Sequence, residues 1–138
     1  MLESLIGAVV GVLTILIARL IRGQRWLYAL GLVTLPSLYA SFALHVGEPV
    51  VGIKEMIYGI PFLAAGLMFA FMGFRYSAIA VGVLWILHGL YDLIHSRLIT
   101  NAGVPDWYPV WCCAVDVVVG GYLLWFSRRV PEANLRRA

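Results

Sequence analysis

The sequence predicts an all-α integral membrane bundle of five transmembrane helices, and three observations carry that expectation. The chain is 62% hydrophobic and only 12% charged over 138 residues, against about 25% charged in an average soluble domain. Its mean hydropathy is +0.92. Its apolar residues gather into five runs close to the ~20 residues that cross a bilayer, parted by charge, Gly, Pro and Asn. A soluble chain of this length buries only about two thirds of its surface and needs many more polar residues to cover the rest. Water-soluble enzyme folds are therefore excluded.

The first span, residues 5–20, follows a leader without basic residues and precedes arginines, which marks a retained helix and not a cleaved signal peptide. The second, 26–46, opens after Arg22-Gly23-Gln24-Arg25, and the third, 56–74, lies between Gly47-Glu48-Pro49 and an Arg75 turn. The fourth, 77–98, stops before a loop from Asn101 to Asp106, and the fifth, 109–126, starts at Pro109. Residues 127–138 form a short, basic, disordered cytoplasmic tail of this single domain. An odd number of spans puts Arg19, Arg22, Arg25, Arg75, Arg128, Arg129, Arg136 and Arg137 on one side, and only Lys54 and Arg97 on the other. Basic residues in short loops stay cytoplasmic, so the amino terminus is expected outside and the carboxyl terminus inside, in a bacterial inner membrane crossed several times.

The net charge of +3 follows from those arginines anchoring helix ends to anionic headgroups, and no nucleic acid partner is implied. Trp107, Tyr108 and Trp111 outside, with Trp26, Tyr28, Tyr76 and Trp125 inside, fit interfacial aromatic belts. The lipid bilayer is the expected environment. Small faces at Gly7, Gly11, Gly66, Gly120 and Gly121 suit close helix approach within the chain, with a second copy, or with a partner membrane subunit.

Ionisable groups inside a bilayer are costly unless paired or wetted, and here they are not scattered. His45, His88 and His95 all fall in the outer half, as do all the acids but Glu132. The fourth span carries His88, Tyr91, Asp92 and His95 on one helical face. His88 and His95 are about 10 Å apart along the axis, so one ion can take Asp92 with either histidine but not with both. The fifth span adds Cys112 and Asp116 at i, i+4, with Asp116 at the depth of Asp92. Two ionised carboxylates facing each other in low dielectric demand compensation: a divalent cation, a shared proton or a histidinium. The expected ligands are Asp92, His95 and Asp116, holding Zn, Mn or Fe, with Glu55 and His88 as acid–base groups. Ser37, Ser41 and His45 of the second span, with Tyr91 and Cys112, would line the cavity, although the hydroxyls also have the option of bonding their own helix carbonyls. Cys112 and Cys113 are adjacent, so no disulfide framework is expected.

The pattern His88-x3-Asp92-x2-His95, then a Gly/Pro loop, Pro109 and Cys112-x3-Asp116, resembles an uncharacterised family of small bacterial integral membrane proteins. The resemblance covers about 40 residues and implies a membrane fold without an activity; this chain has Tyr91 where the family has Trp and Ser96 where it has a further His. A more distant likeness is to membrane hydrolases that hold zinc with His and Asp scattered over helices, although three metal histidines are not evident here. The expectation is thus an outward-facing intramembrane His/Asp site for a divalent metal, with metal-assisted chemistry on a lipid-like or small amphipathic substrate. Two alternatives stand beside it: a proton- or cation-linked transporter, and an accessory subunit in which the cluster only holds helices together.

Overall fold

The computed structural model describes the backbone of residues 1–70 and 74–129, and the side chains of these residues except 25, 70 and 74–77. Arg136, Arg137, Glu132 and most of the expected tail lie outside the described residues, as do the side chains of Arg25, Arg75 and Tyr76. Five helices follow in order: α1 (Leu2–Leu20), α2 (Gln24–His45), α3 (Pro49–Ala70), α4 (Phe74–Leu98) and α5 (Tyr108–Arg129). Each is long and apolar enough to cross a membrane, as a multi-pass membrane protein requires.

The turns follow local chemistry. Gly47 (φ 79°) ends α2, with Gly47 N–H on the Leu44 carbonyl and Glu48 N–H on that of Ala43, the bonding pattern of a left-handed helix stop. The α1 stop repeats the pattern with Arg22 in the left-handed position (φ 53°) and Gly23 N–H on the Ala18 carbonyl. The third helix starts seven residues before the expected residue 56, because Pro49 suits the first helical position, where no N–H is needed. The expectation places both Lys54 and Glu55 before the span and takes Glu55 as an acid–base group at the mouth of the cavity. Helical geometry turns them about 100° apart, leaving Lys54 exposed and Glu55 buried.

Helices α2 and α3 pack along their length as a hairpin, and α5 sits between α4 and α1; the hairpin meets α4 along a narrower seam. The core runs down that seam through Tyr28, Leu32, Leu35 and Tyr39 of α2, Val81 and Trp85 of α4, and Val115, Val119 and Leu123 of α5. Trp85 Nε1 donates to the Tyr28 carbonyl at 3.0 Å, and Tyr122 Oη to Gln24 Oε1 at 2.8 Å. Of the small positions, Gly7, Gly11, Gly66 and Gly120 are used inside the chain, whereas Gly121 has open space around it. Tyr28 and Tyr108, expected as belt residues, turn inward and are buried; Trp26, Trp107 and Trp125 are exposed.

Candidate metal centre

The register between α4 and α5 decides which acids meet which histidines. A Cβ at Gly89 would sit 3.1 Å from Asp116 Cβ, and one at Gly120 would sit 2.6 Å from the Gly82 carbonyl oxygen. Absence of side chains at these positions lets the two backbones approach, which sets Asp116 beside His88, one residue before Gly89. His88 Nδ1 is 2.8 Å from Asp116 Oδ2 and 3.6 Å from Asp92 Oδ2. All three residues are no more than 2% exposed. Cys112, one turn from Asp116, completes the group: one donor atom from each of His88, Asp92, Cys112 and Asp116 lies within 4.8 Å of the other three.

Asp92 Oδ1 accepts from Tyr39 Oη at 2.8 Å. Asp92 Oδ2 and Asp116 Oδ1 are buried and have no hydrogen-bond partner. A buried carboxylate oxygen without a donor costs as much as a lost charged hydrogen bond or more, and the cluster that holds two of them could take a metal ion.

A second group lies one to two turns along α4. His95 Nε2 is 3.0 Å from both carboxylate oxygens of Glu55, and Asn101 Nδ2 donates to Glu55 Oε1 at 2.8 Å and to the Tyr39 carbonyl at 3.1 Å. Glu55 and His95 are 3% and 2% exposed. Here the carboxylate is fully partnered by protein. Tyr39 joins the two groups: its ring stacks on His95 with centroids 4.0 Å apart while its hydroxyl reaches Asp92. Tyr108 packs edge-on against Tyr39 at 5.4 Å and accepts a weak contact from Cys112 Sγ at 3.8 Å.

Measured against the sequence expectations, Asp92, Asp116, His88 and Cys112 come together, and Asp92 and Asp116 do share one level. The histidines stand in exchanged places: His95, expected as a ligand, pairs with Glu55, and His88, expected as an acid–base group, sits between the aspartates. The seven residues of helix between them put about 10 Å of rise between the two positions. Tyr91 is half-buried and packs against both imidazoles. The α2 stripe lies elsewhere. Ser37, Ser41 and His45 are exposed, and the two hydroxyls donate to the Thr34 and Leu38 carbonyls, as serines in membrane helices commonly do. Cys113 is half-buried outside the group, and both cysteines are free thiols.

Sequence reasoning missed Tyr39 and Asn101. Tyr39 continues the inward row of Tyr28, Leu32 and Leu35, and a tyrosine on such a row needs a partner for its hydroxyl, which was the available signal. Asn101 read only as a turn former. Comparison with protein-family models, with curated proteins and with solved structures returns no match for this chain.

Proposed function

We propose that the chain is a multi-pass membrane protein that binds one divalent metal ion within the bundle, through His88, Asp92, Cys112 and Asp116. The observation that carries this reading is the pair of buried oxygens without a hydrogen bond, Asp92 Oδ2 and Asp116 Oδ1, in a group whose donors already lie within 4.8 Å of one another. A four-coordinate ion with bonds of about 2.0 to 2.3 Å would draw these donors together through a short movement. Its double charge offsets most of the negative charge of the two carboxylates and the Cys112 thiolate, which relieves the repulsion between them. One nitrogen, one sulfur and two oxygens suit zinc or iron better than manganese, because the thiolate is a soft ligand.

Four protein donors, all buried, favour a closed site over one with an open position for an attacking water. In this reading the ion ties α4 and α5 together, with α2 attached through Tyr39, and catalysis on a lipid-like substrate is the less supported role. The arginine distribution supports an amino terminus on the outer face of a bacterial inner membrane, with the site in the outward half.

The test is elemental analysis by plasma mass spectrometry of protein purified in detergent without a metal-affinity tag, wild type beside Asp92→Asn and Asp116→Asn. Near-stoichiometric zinc or iron in wild type and its loss in both variants supports the reading. A folded, metal-free wild type sinks it and leaves a proton or an imidazolium shared among His88, Asp92 and Asp116 as the compensating charge.

A further inference from the structure

Access is the question that a dry, four-donor site raises. Below the group, toward the arginine-bearing end, α2, α4 and α5 close on Leu32, Trp85, Val119 and Leu123, all buried. Carrying a divalent cation through such a layer costs many kcal/mol of lost hydration. The other end differs. A cavity of about 260 Å³ opens at the α4–α5 loop, with His95 and Asn101 among its buried or half-buried lining and Ser96, Thr100 and Asp106 at its exposed part. Its lining holds Asp106 and hydroxyl and amide groups, and no lysine or arginine.

Directly behind His95 and Asn101 stands the Glu55 carboxylate, bonded to both. Behind His95 in turn lies the Tyr39 ring, whose hydroxyl is on Asp92. From Asp106 of the loop, through Glu55 of α3 and His95 of α4, to Asp92 and Asp116, the chain thus offers a series of cation-compatible groups, interrupted by the Tyr39 ring.

We propose that the divalent cation enters and leaves the buried group from this cavity, with Glu55 and His95 as a transit site and Tyr39 as the side chain that closes the way behind it. The proposal rests on the metal reading above. An incoming cation exchanges for the imidazole N–H on Glu55, and rotation of Tyr39 then exposes Asp92 Oδ1, the first oxygen of the final site. Asp106 and Glu55 supply the negative potential that draws the ion in, as acid-lined clefts do for charged ligands.

The experiment follows cobalt(II) chloride uptake by metal-stripped protein in detergent micelles, through the visible cobalt bands that report thiolate and carboxylate ligation, and release of cobalt to a chelator. Two variants decide it. Ser96→Trp narrows the mouth at an exposed position, and Glu55→Gln removes the transit charge while keeping an amide for His95 and Asn101. Each is expected to slow uptake and release together by about tenfold or more, with wild-type final spectrum and affinity. Loosening of the fold would instead speed release and lower affinity. If Glu55→Gln does not fold, Ser96→Trp decides alone. Wild-type rates in the folded variants overturn the route and leave the metal site standing; a wild type that takes up no cobalt removes the site and the route together.

Discussion

At His95 the acid is completed by protein: Glu55 has the imidazole against both oxygens and the Asn101 amide on one of them. Seven residues earlier on the same helix face, His88 is hydrogen-bonded to Asp116 and only within ion-pair distance of Asp92, and each aspartate keeps an oxygen without a hydrogen bond. Burial is equal, since all five residues are at most 3% exposed. The difference is one of supply. Around Glu55 the loop residue Asn101 adds a donor, whereas Asp92 Oδ2 and Asp116 Oδ1 receive no hydrogen bond from any described residue. A buried acid with a full set of protein donors is a fastening between helices, and an acid short of donors belongs to a group that could hold a metal ion.

That contrast can be broken in several ways, and the largest effect belongs to the metal. Zinc at a thousandfold excess over its Kd stabilises wild type by about 4 kcal/mol, measured by thermal unfolding in detergent, and Asp116→Asn abolishes the increment. Equal stabilisation of both proteins would erase the distinction between the two groups. Next comes His95→Ala, which leaves Glu55 charged and short of its main partner, and which costs about 3 kcal/mol or more whether or not a chelator is present. A loss seen only with metal bound would make Glu55 and His95 part of the metal site.

Tyr39→Phe is the finer probe, because Tyr39 belongs to both groups. Removing its hydroxyl from Asp92 should weaken metal affinity by about 10- to 100-fold, the usual effect of deleting a hydrogen bond to a ligand, as read by chelator competition. The stack on His95 survives the change, but Asp92 Oδ1 loses its hydrogen-bond donor, so the unmetallated protein should be destabilised by about 1 to 3 kcal/mol. Smallest of all are Ser37→Ala and Ser41→Ala, expected within about 0.5 kcal/mol in stability and without effect on metal content, since both hydroxyls face outward onto their own helix. A change in metal content there would return the α2 stripe to the site.

The five helices were legible because apolar runs of spanning length need no tertiary knowledge. Asp92 and Asp116 could be placed level by counting rise along two antiparallel helices, and the structure has them about one imidazole, His88. What counting could not supply was rotation. Both His88 and His95 lie on the inward face of α4, and the choice between them depends on how α5 and α3 slide against it, which Gly89 settles through its contact with Asp116. Glu55 was singled out as an acid–base group, but its pairing with His95 was not foreseen, because the third span was expected to start one residue after it. Tyr39 and Asn101 stayed hidden for a related reason: neither carries a charge at neutral pH, and their importance comes from partners 53 and 46 residues away.

Helix α1 stands apart from all of this. It lies against α5 through Gly7 and Gly11, which meet the Trp111 carbonyl and Val118, and it supplies no residue to either buried group. The donors all come from α2 to α5 and the loop before α5. The consequence is modularity: the chemistry belongs to a four-helix unit, and α1 is a brace laid along its back. The exposed face of α1 can change freely so long as the buried row of Gly7, Gly11, Ile15 and Ala18 is kept, whereas the close approach of α4 and α5 leaves little room for a change of register.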